Sequence, residues 1–88
     1  MTRTMTTMNG TYIYILQSLI RPDRRYIGMT RDIEARLEEH NAGSVESTWR
    51  HRPWKLVATI WFADRAKAEA FERYLKHGSG HAFARRHF

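Results

Sequence analysis

The 88-residue chain contains no cysteine. Disulfides and thiolate-bound metal are therefore excluded, and a reducing compartment, the cytoplasm, is the expected location. No run of 18 apolar residues occurs, so no membrane-spanning helix and no membrane partner are expected. Residues 1 to 10 have no apolar stretch of the kind a secretory signal needs. They are read as a disordered lead-in to one domain over residues 11–88. The sequence also lacks internal repeats, low-complexity tracts and linkers. A domain this small buries only about 60–65% of the surface of its unfolded chain, so its core is thin, and either a monomer or a weak homodimer fits. Acidic residues are the scarce charge, nine Asp and Glu against 15 Lys and Arg, for a net +6.

Twelve of the 15 cations are arginine and three are lysine. A guanidinium can grip a phosphate with two parallel hydrogen bonds, which an ammonium cannot. The bias points to a polyanionic partner with salt-sensitive binding. A solvated basic surface is the plainer explanation of the same charge.

Thr11 to Gln17 is aromatic and β-branched, which favours a strand. Alternation puts Tyr12, Tyr14 and Leu16 on one face and Ile13 and Ile15 on the other, so both faces are expected to be covered. After the turn signal Arg21-Pro22-Asp23, residues Arg25 to Met29 read as a second strand in an antiparallel hairpin. Thr30 is placed to cap a helix running through Ile33 and Leu37 to about Asn41, with Asp32 in its first turn and Gly43 as its stop. Ser44 to Pro53 reads as a loop, and Trp54 to Phe62 as a third strand. Asp64 suits the N-cap of a helix from Arg65 to about His77, with Ala68, Phe71, Tyr74 and Leu75 as its buried stripe. Gly78-Ser79-Gly80 is expected to break that helix, and Ala82 to His87 suits one last helical turn. The order β-β-α-β-α predicts an α+β fold, a small three-stranded, mainly antiparallel sheet flanked by helices.

A few residues stand out against this frame. Arg36 and His40, four apart on the first helix, are neighbours on the side that carries Leu37. They read either as a phosphate-binding cation with a proton-transfer partner or as an ordinary surface pair. Glu72 falls in the core-facing row with Ala68, Phe71 and Leu75, where a carboxylate is costly unless paired or metal-bound. A rim ion pair with an arginine or with Lys76 is the competing explanation. Tyr14 and Tyr26 sit on strands expected to pair, so their phenols converge if the faces match; plain core packing would also suit them. Trp49, Arg50, His51 and Arg52 combine an aromatic with cations, which suits stacking on unpaired or distorted nucleic acid; a structural Trp49 is the alternative.

Taken in order, Tyr12-Ile13-Tyr14, Tyr26-Ile27-Gly28, Arg36 with His40 four residues on, and then Glu72 resemble the GIY-YIG nuclease superfamily, and in particular its short stand-alone, excinuclease-subunit-like members. The resemblance spans roughly Thr11 to Arg86. It implies a divalent-metal-dependent endonuclease that hydrolyses phosphodiester bonds in DNA in preference to RNA, selecting structure, not sequence. It implies that Tyr14, Tyr26, Arg36, His40 and Glu72 are the catalytic set. Arg36 would hold the scissile phosphate, His40 would lie near the attacking water, and Glu72 would carry Mg²⁺ or Mn²⁺. Nucleic-acid contacts are expected from Arg36, Trp49, Arg50, Arg52 and Lys76. The chain departs from the family at two places. Met29 and Thr30 stand where some members have a lysine, and Ala82-Phe83-Ala84-Arg85 where many have an asparagine. A nucleic-acid-binding module without turnover is the alternative implied by the second departure.

Overall fold

The computed structural model describes residues 10–88. The lead-in expected over residues 1–10 lies outside the described residues except for Gly10. That glycine is buried, and a Cβ there would fall 1.7 Å from the Trp61 indole nitrogen.

Three strands form one antiparallel sheet: β1 (Thr11–Ser18), β2 (Arg25–Thr30) and β3 (Trp54–Phe62). Their spatial order is β2-β1-β3, so the hairpin partner β2 is an edge and β1 is central. The expected coverage on both faces of β1 is observed. Ile13 packs with Ala68, Leu75 and Ala84 on one side, and Tyr14 and Leu16 pack with Trp54 on the other. The β1–β3 register slips between Ile15 and Leu16, where Ile15 faces Ala58 but Leu16 faces Leu56. One extra residue on β3 at that point, Val57, makes a bulge that bends the strand.

Helix α1 (Ile33–Ala42) covers the Tyr14 face with Ile33 and Leu37. Its cap is Asp32, not the Thr30 expected from the sequence. The Asp32 carboxylate accepts from Ala35 N–H, while the Thr30 hydroxyl accepts from Asp32 N–H one turn earlier. A carboxylate at the positive end of the helix dipole has the advantage over a hydroxyl. Gly43, at φ 87, ends the helix as expected. A short 3₁₀ turn (Trp49–His51) follows inside the predicted loop.

Helices α2 (Arg65–Lys76) and α3 (Gly78–His87) cover the Ile13 face. Asp64 caps α2 as expected, accepting from Ala66 N–H at 2.8 Å. Two details of this region differ from expectation. Tyr74 is 44% exposed and stands outside the buried stripe, stacked on Phe71. Gly78-Ser79-Gly80 does not interrupt helical structure for long; it forms the first turn of a full ten-residue helix. Gly80 is there because the two helices meet at that point, and a Cβ would lie 1.7 Å from the Tyr74 carbonyl oxygen. Among the described residues no helix is long and apolar enough to cross a membrane.

Candidate active site

Four of the residues singled out by the sequence meet on the α1 face of the sheet. Tyr14 on β1 and Tyr26 on β2 are diagonal neighbours, since Tyr14 faces Gly28 and Leu16 faces Tyr26. Their ring centroids are 6.1 Å apart, and His40 of α1 lies 5.8 Å from the first ring and 4.9 Å from the second. Gly28 makes this possible. A Cβ at that position would stand 2.6 Å from the Tyr14 hydroxyl oxygen and 2.9 Å from a ring carbon of Tyr26. Glycine inside a strand here serves close approach, because the space above its Cα is filled by a phenol.

The polar atoms form a chain. Tyr14 hydroxyl and His40 Nε2 are 2.9 Å apart, and His40 Nδ1 and Thr48 Oγ1 are 2.7 Å apart. The Thr48 hydroxyl also reaches the Val45 carbonyl at 3.4 Å. Arg36 Nε donates to the Tyr14 hydroxyl at 3.3 Å, and its Nη1 donates to Glu39 at 2.7 Å. One arrangement of hydrogens leaves no donor without an acceptor: His40 protonated at Nδ1 and donating to Thr48, Thr48 donating to Val45, and Tyr14 donating to His40 Nε2.

Burial pushes the His40 imidazole below its ordinary value of 6.5, and the Arg36 cation pushes it the same way against the opposing Glu39 carboxylate. Burial pushes the Tyr14 phenol above 10.0; the hydrogen bond from Arg36 works against this, and the Tyr26 phenol adds to it. Arg36 is raised, first by its bond to Glu39 and then by its bond to Tyr14. The cluster is thus a neutral imidazole and a neutral phenol beside a fixed positive charge.

Exposure separates the members. His40 is 0% and Tyr14 2% exposed, whereas Tyr26 is half-buried and the Arg36 side chain is 34% exposed. His40 was expected beside the attacking water. It is fully buried and hydrogen-bonded to Tyr14 and Thr48, in the last turn of α1. Arg36 spends two of its N–H groups on Tyr14 and Glu39, and the others remain for an outside acceptor.

Glu72 stands apart from this hydrogen-bonded chain. Its side chain is 20% exposed, and its carboxylate pairs with Lys76 Nζ at 3.1 Å, one turn along α2. Helix α2 packs along the β2 edge, and Lys76 and Tyr26 line the same cleft there. The rim ion pair considered from the sequence is therefore present, and it brings Glu72's partner to the exposed side of Tyr26. Glu72 suits a hard divalent ion, because a carboxylate is an oxygen donor. Among the described residues no group of three His, Asp or Glu side chains could complete a cage around an ion. One carboxylate with water in the remaining positions is an arrangement that Mg²⁺ accepts.

Trp49 is 43% exposed. The guanidinium carbons of Arg50 and Arg52 lie 5.4 and 6.0 Å from its ring centroid, within cation–π range. Arg52 is tied further to the Trp49 carbonyl at 2.8 Å. The turn carrying them is anchored to the cluster through the adjacent Thr48, whose carbonyl accepts from the Trp54 indole at 2.9 Å.

Sequence reasoning missed Thr48, Glu39 and Asn41. Asn41 clips the start of β3 by accepting from Trp54 N–H and donating to Trp54 carbonyl oxygen. Thr48 carried no signal, since a hydroxyl in a loop without periodicity looks solvated. Glu39 was legible as an i, i+3 partner of Arg36.

A three-stranded antiparallel sheet with helices on both faces and a Tyr–His–Arg cluster at one edge has the architecture that the signature residues implied. The family profile of the GIY-YIG catalytic domain matches residues 10–84, and the chain belongs to that family. It is 39% identical over 72 residues to the structure-specific endonuclease subunit SLX1 of Candida dubliniensis, covering 74% of this chain and 25% of that protein. It is 41% identical over 71 residues to the SLX1 subunit of Meyerozyma guilliermondii, covering 74% of this chain and 24% of that protein. The chain thus spans about a quarter of the length of these curated relatives. Among solved structures, the UPF0213 protein of Bacillus halodurans, determined in solution by NMR, superposes with a TM-score of 0.52 at 31% identity, covering 86% of this chain and 80% of that one.

Proposed function

We propose that this chain is a divalent-metal-dependent endonuclease that hydrolyses phosphodiester bonds in DNA and selects its substrate by structure. The observation that carries this is the Arg36–Tyr14–His40–Thr48 hydrogen-bond chain beside a half-exposed Tyr26, on a domain of the GIY-YIG family. The names of the SLX1 relatives, structure-specific endonuclease subunits, support the same reading and the expectation of a protein partner.

In this reading a water oxygen forms a bond to phosphorus, one ester P–O bond breaks, and the leaving oxygen ends as a hydroxyl. Tyr26 is the phenol that meets the water, since Tyr14 and His40 are covered. The water's proton passes to the Tyr26 oxygen as Tyr26 gives up its own proton to solvent on its open side, and solvent supplies the proton that the leaving oxygen takes up. Tyr14 and His40 are therefore positioning residues, and Arg36 offers its free N–H groups to the phosphate. Glu72 would hold a Mg²⁺ or Mn²⁺ ion. Such an ion supplies Lewis-acid stabilisation of charge on phosphate and leaving oxygens.

The test is a nicking assay on branched, single-stranded and duplex DNA and on matching RNA, with Mg²⁺, Mn²⁺ or EDTA. Wild type is expected to cut branched DNA only with metal. Glu72→Ala and Tyr26→Phe are expected to lose at least about 100-fold, the scale of losing one positioned transition-state group. Equal cleavage by Glu72→Ala would sink the reading.

The Lys76–Glu72 ion pair favours a second reading, a binding module whose carboxylate is paired with Lys76 and holds no metal. It predicts salt-dependent DNA binding that survives Glu72→Ala, with no nicking under any metal.

A further inference from the structure

Two clefts lie along the open edge of β2 and share two residues. The larger, ≈ 540 Å³, is lined by Arg24, Arg25, His81 and Arg85 with the hairpin residues Gln17, Pro22 and Asp23. The smaller, ≈ 260 Å³, is lined by Tyr26, Ile27 and Lys76 together with the same Arg25 and His81. Because Arg25 and His81 belong to both, the clefts form one groove. It runs from the β1–β2 hairpin, past the start of α3, to the phenol assigned above to the attacking water.

The groove is cationic along its length. Arg24 and Arg25 come from the hairpin and the start of β2, Lys76 from the last turn of α2, and Arg85 from the last turn of α3. Arg25 is also structural, donating from Nη2 to the Phe88 carbonyl oxygen, which holds the end of α3 against β2. Asp23 is the carboxylate in the lining, and it pairs with Arg21 at 3.6 Å, with both side chains more than half exposed. Among the described residues, the guanidinium groups of Arg24 and Arg85 have neither an ion-pair nor a hydrogen-bonding partner. Two exposed guanidinium groups lining one cleft, with no carboxylate paired to either, offer the donors that phosphate oxygens fill.

We infer that this groove holds the sugar–phosphate backbone of the DNA strand leading to the scissile bond, with Arg24 and Arg85 each contacting a phosphate. The inference rests on the endonuclease reading and adds to it the track of the substrate. It also places the backbone on the β2 edge. In it Arg24 and Arg85 act as binding residues, so they set affinity without touching the reacting atoms.

The experiment measures anisotropy of a fluorescein-labelled 5′-flap DNA in EDTA across a salt series. It compares wild type, Arg24→Ala/Arg85→Ala, and the charge-matched control Arg65→Ala/Lys67→Ala on the exposed start of α2. Loss of two phosphate contacts is expected to weaken binding by about tenfold or more and to make the slope of log K against log salt shallower by about 2. The control pair is expected to keep the wild-type slope. With Mg²⁺ present and protein below saturation, cleavage by the groove variant is expected to fall in step with its weaker binding. Groove and control variants weakened equally would reduce the effect to net charge and overturn the proposal. So would an unchanged slope in the groove variant of a wild type that binds and nicks. If wild type neither binds nor nicks, the endonuclease reading falls and the groove falls with it.

Discussion

Replacing Gly28 by alanine probes how tightly the site is built. Gly28 is not in the left-handed region, since among the described residues only Gly43 and Gly78 have positive φ, so alanine adds no backbone strain. The whole effect is steric. The new Cβ would sit 2.6 Å from the Tyr14 oxygen and 2.7 Å from its Cζ, and the phenol must retreat about 0.8 Å to regain ordinary contact. It cannot do so freely. The ring is 2% exposed, and its oxygen is held at 2.9 Å by His40 and at 3.3 Å by Arg36. Overpacking of this kind costs about 1–3 kcal/mol, and the lost hydrogen bond adds about 1 kcal/mol. A displacement near 1 Å at a reacting centre lowers rate by about 100-fold. Urea denaturation should show the destabilisation, and single-turnover nicking the rate loss. Tyr14→Phe in the Gly28→Ala background removes the oxygen but leaves the ring carbon in place. The pair should therefore recover only part of the stability and none of the activity. A Gly28→Ala protein with wild-type stability and wild-type rate would refute the packing argument.

Thr48→Val keeps the shape of a buried side chain but leaves the His40 Nδ1 hydrogen without an acceptor. It should destabilise by about 1–3 kcal/mol in chemical denaturation while Thr48→Ser stays near wild type; equal stability of the two would contradict the assigned tautomer. Stability should also follow pH through the cluster. His40 is depressed below 6.5, so its contribution is present above that pH and is lost as acid protonates the unfolded chain first. Tyr14 is raised above 10.0, so its contribution is present below that pH and is lost as the solution becomes more alkaline. Urea midpoints across pH should decline on both sides, and His40→Gln should flatten the acid limb.

Much of the molecule was legible along the chain. Strand alternation placed Tyr12, Tyr14 and Leu16 opposite Ile13 and Ile15, and the two faces of β1 do pack into separate clusters. The three strands, the Asp64 cap and the Gly43 stop follow from residue chemistry within a few positions of each other, the range over which local propensity acts. The resemblance to the GIY-YIG pattern implied that Tyr14, Tyr26, Arg36 and His40 belong to one site, and the four side chains do lie together. Other features depend on partners distant in sequence. Gly28 is required by a phenol 14 residues earlier, and Gly80 by the carbonyl of the preceding helix. Thr48 becomes a site residue only because α1 brings His40 onto it, and the basic groove exists only where the hairpin, α2 and α3 converge on β2.

The opposition of half-buried Tyr26 to buried Tyr14 and His40 has the same origin. Two tyrosines in similar tripeptides look equivalent as sequence. They differ because β1 is central and β2 is an edge, and burial is a property of the assembled layers, not of the residue.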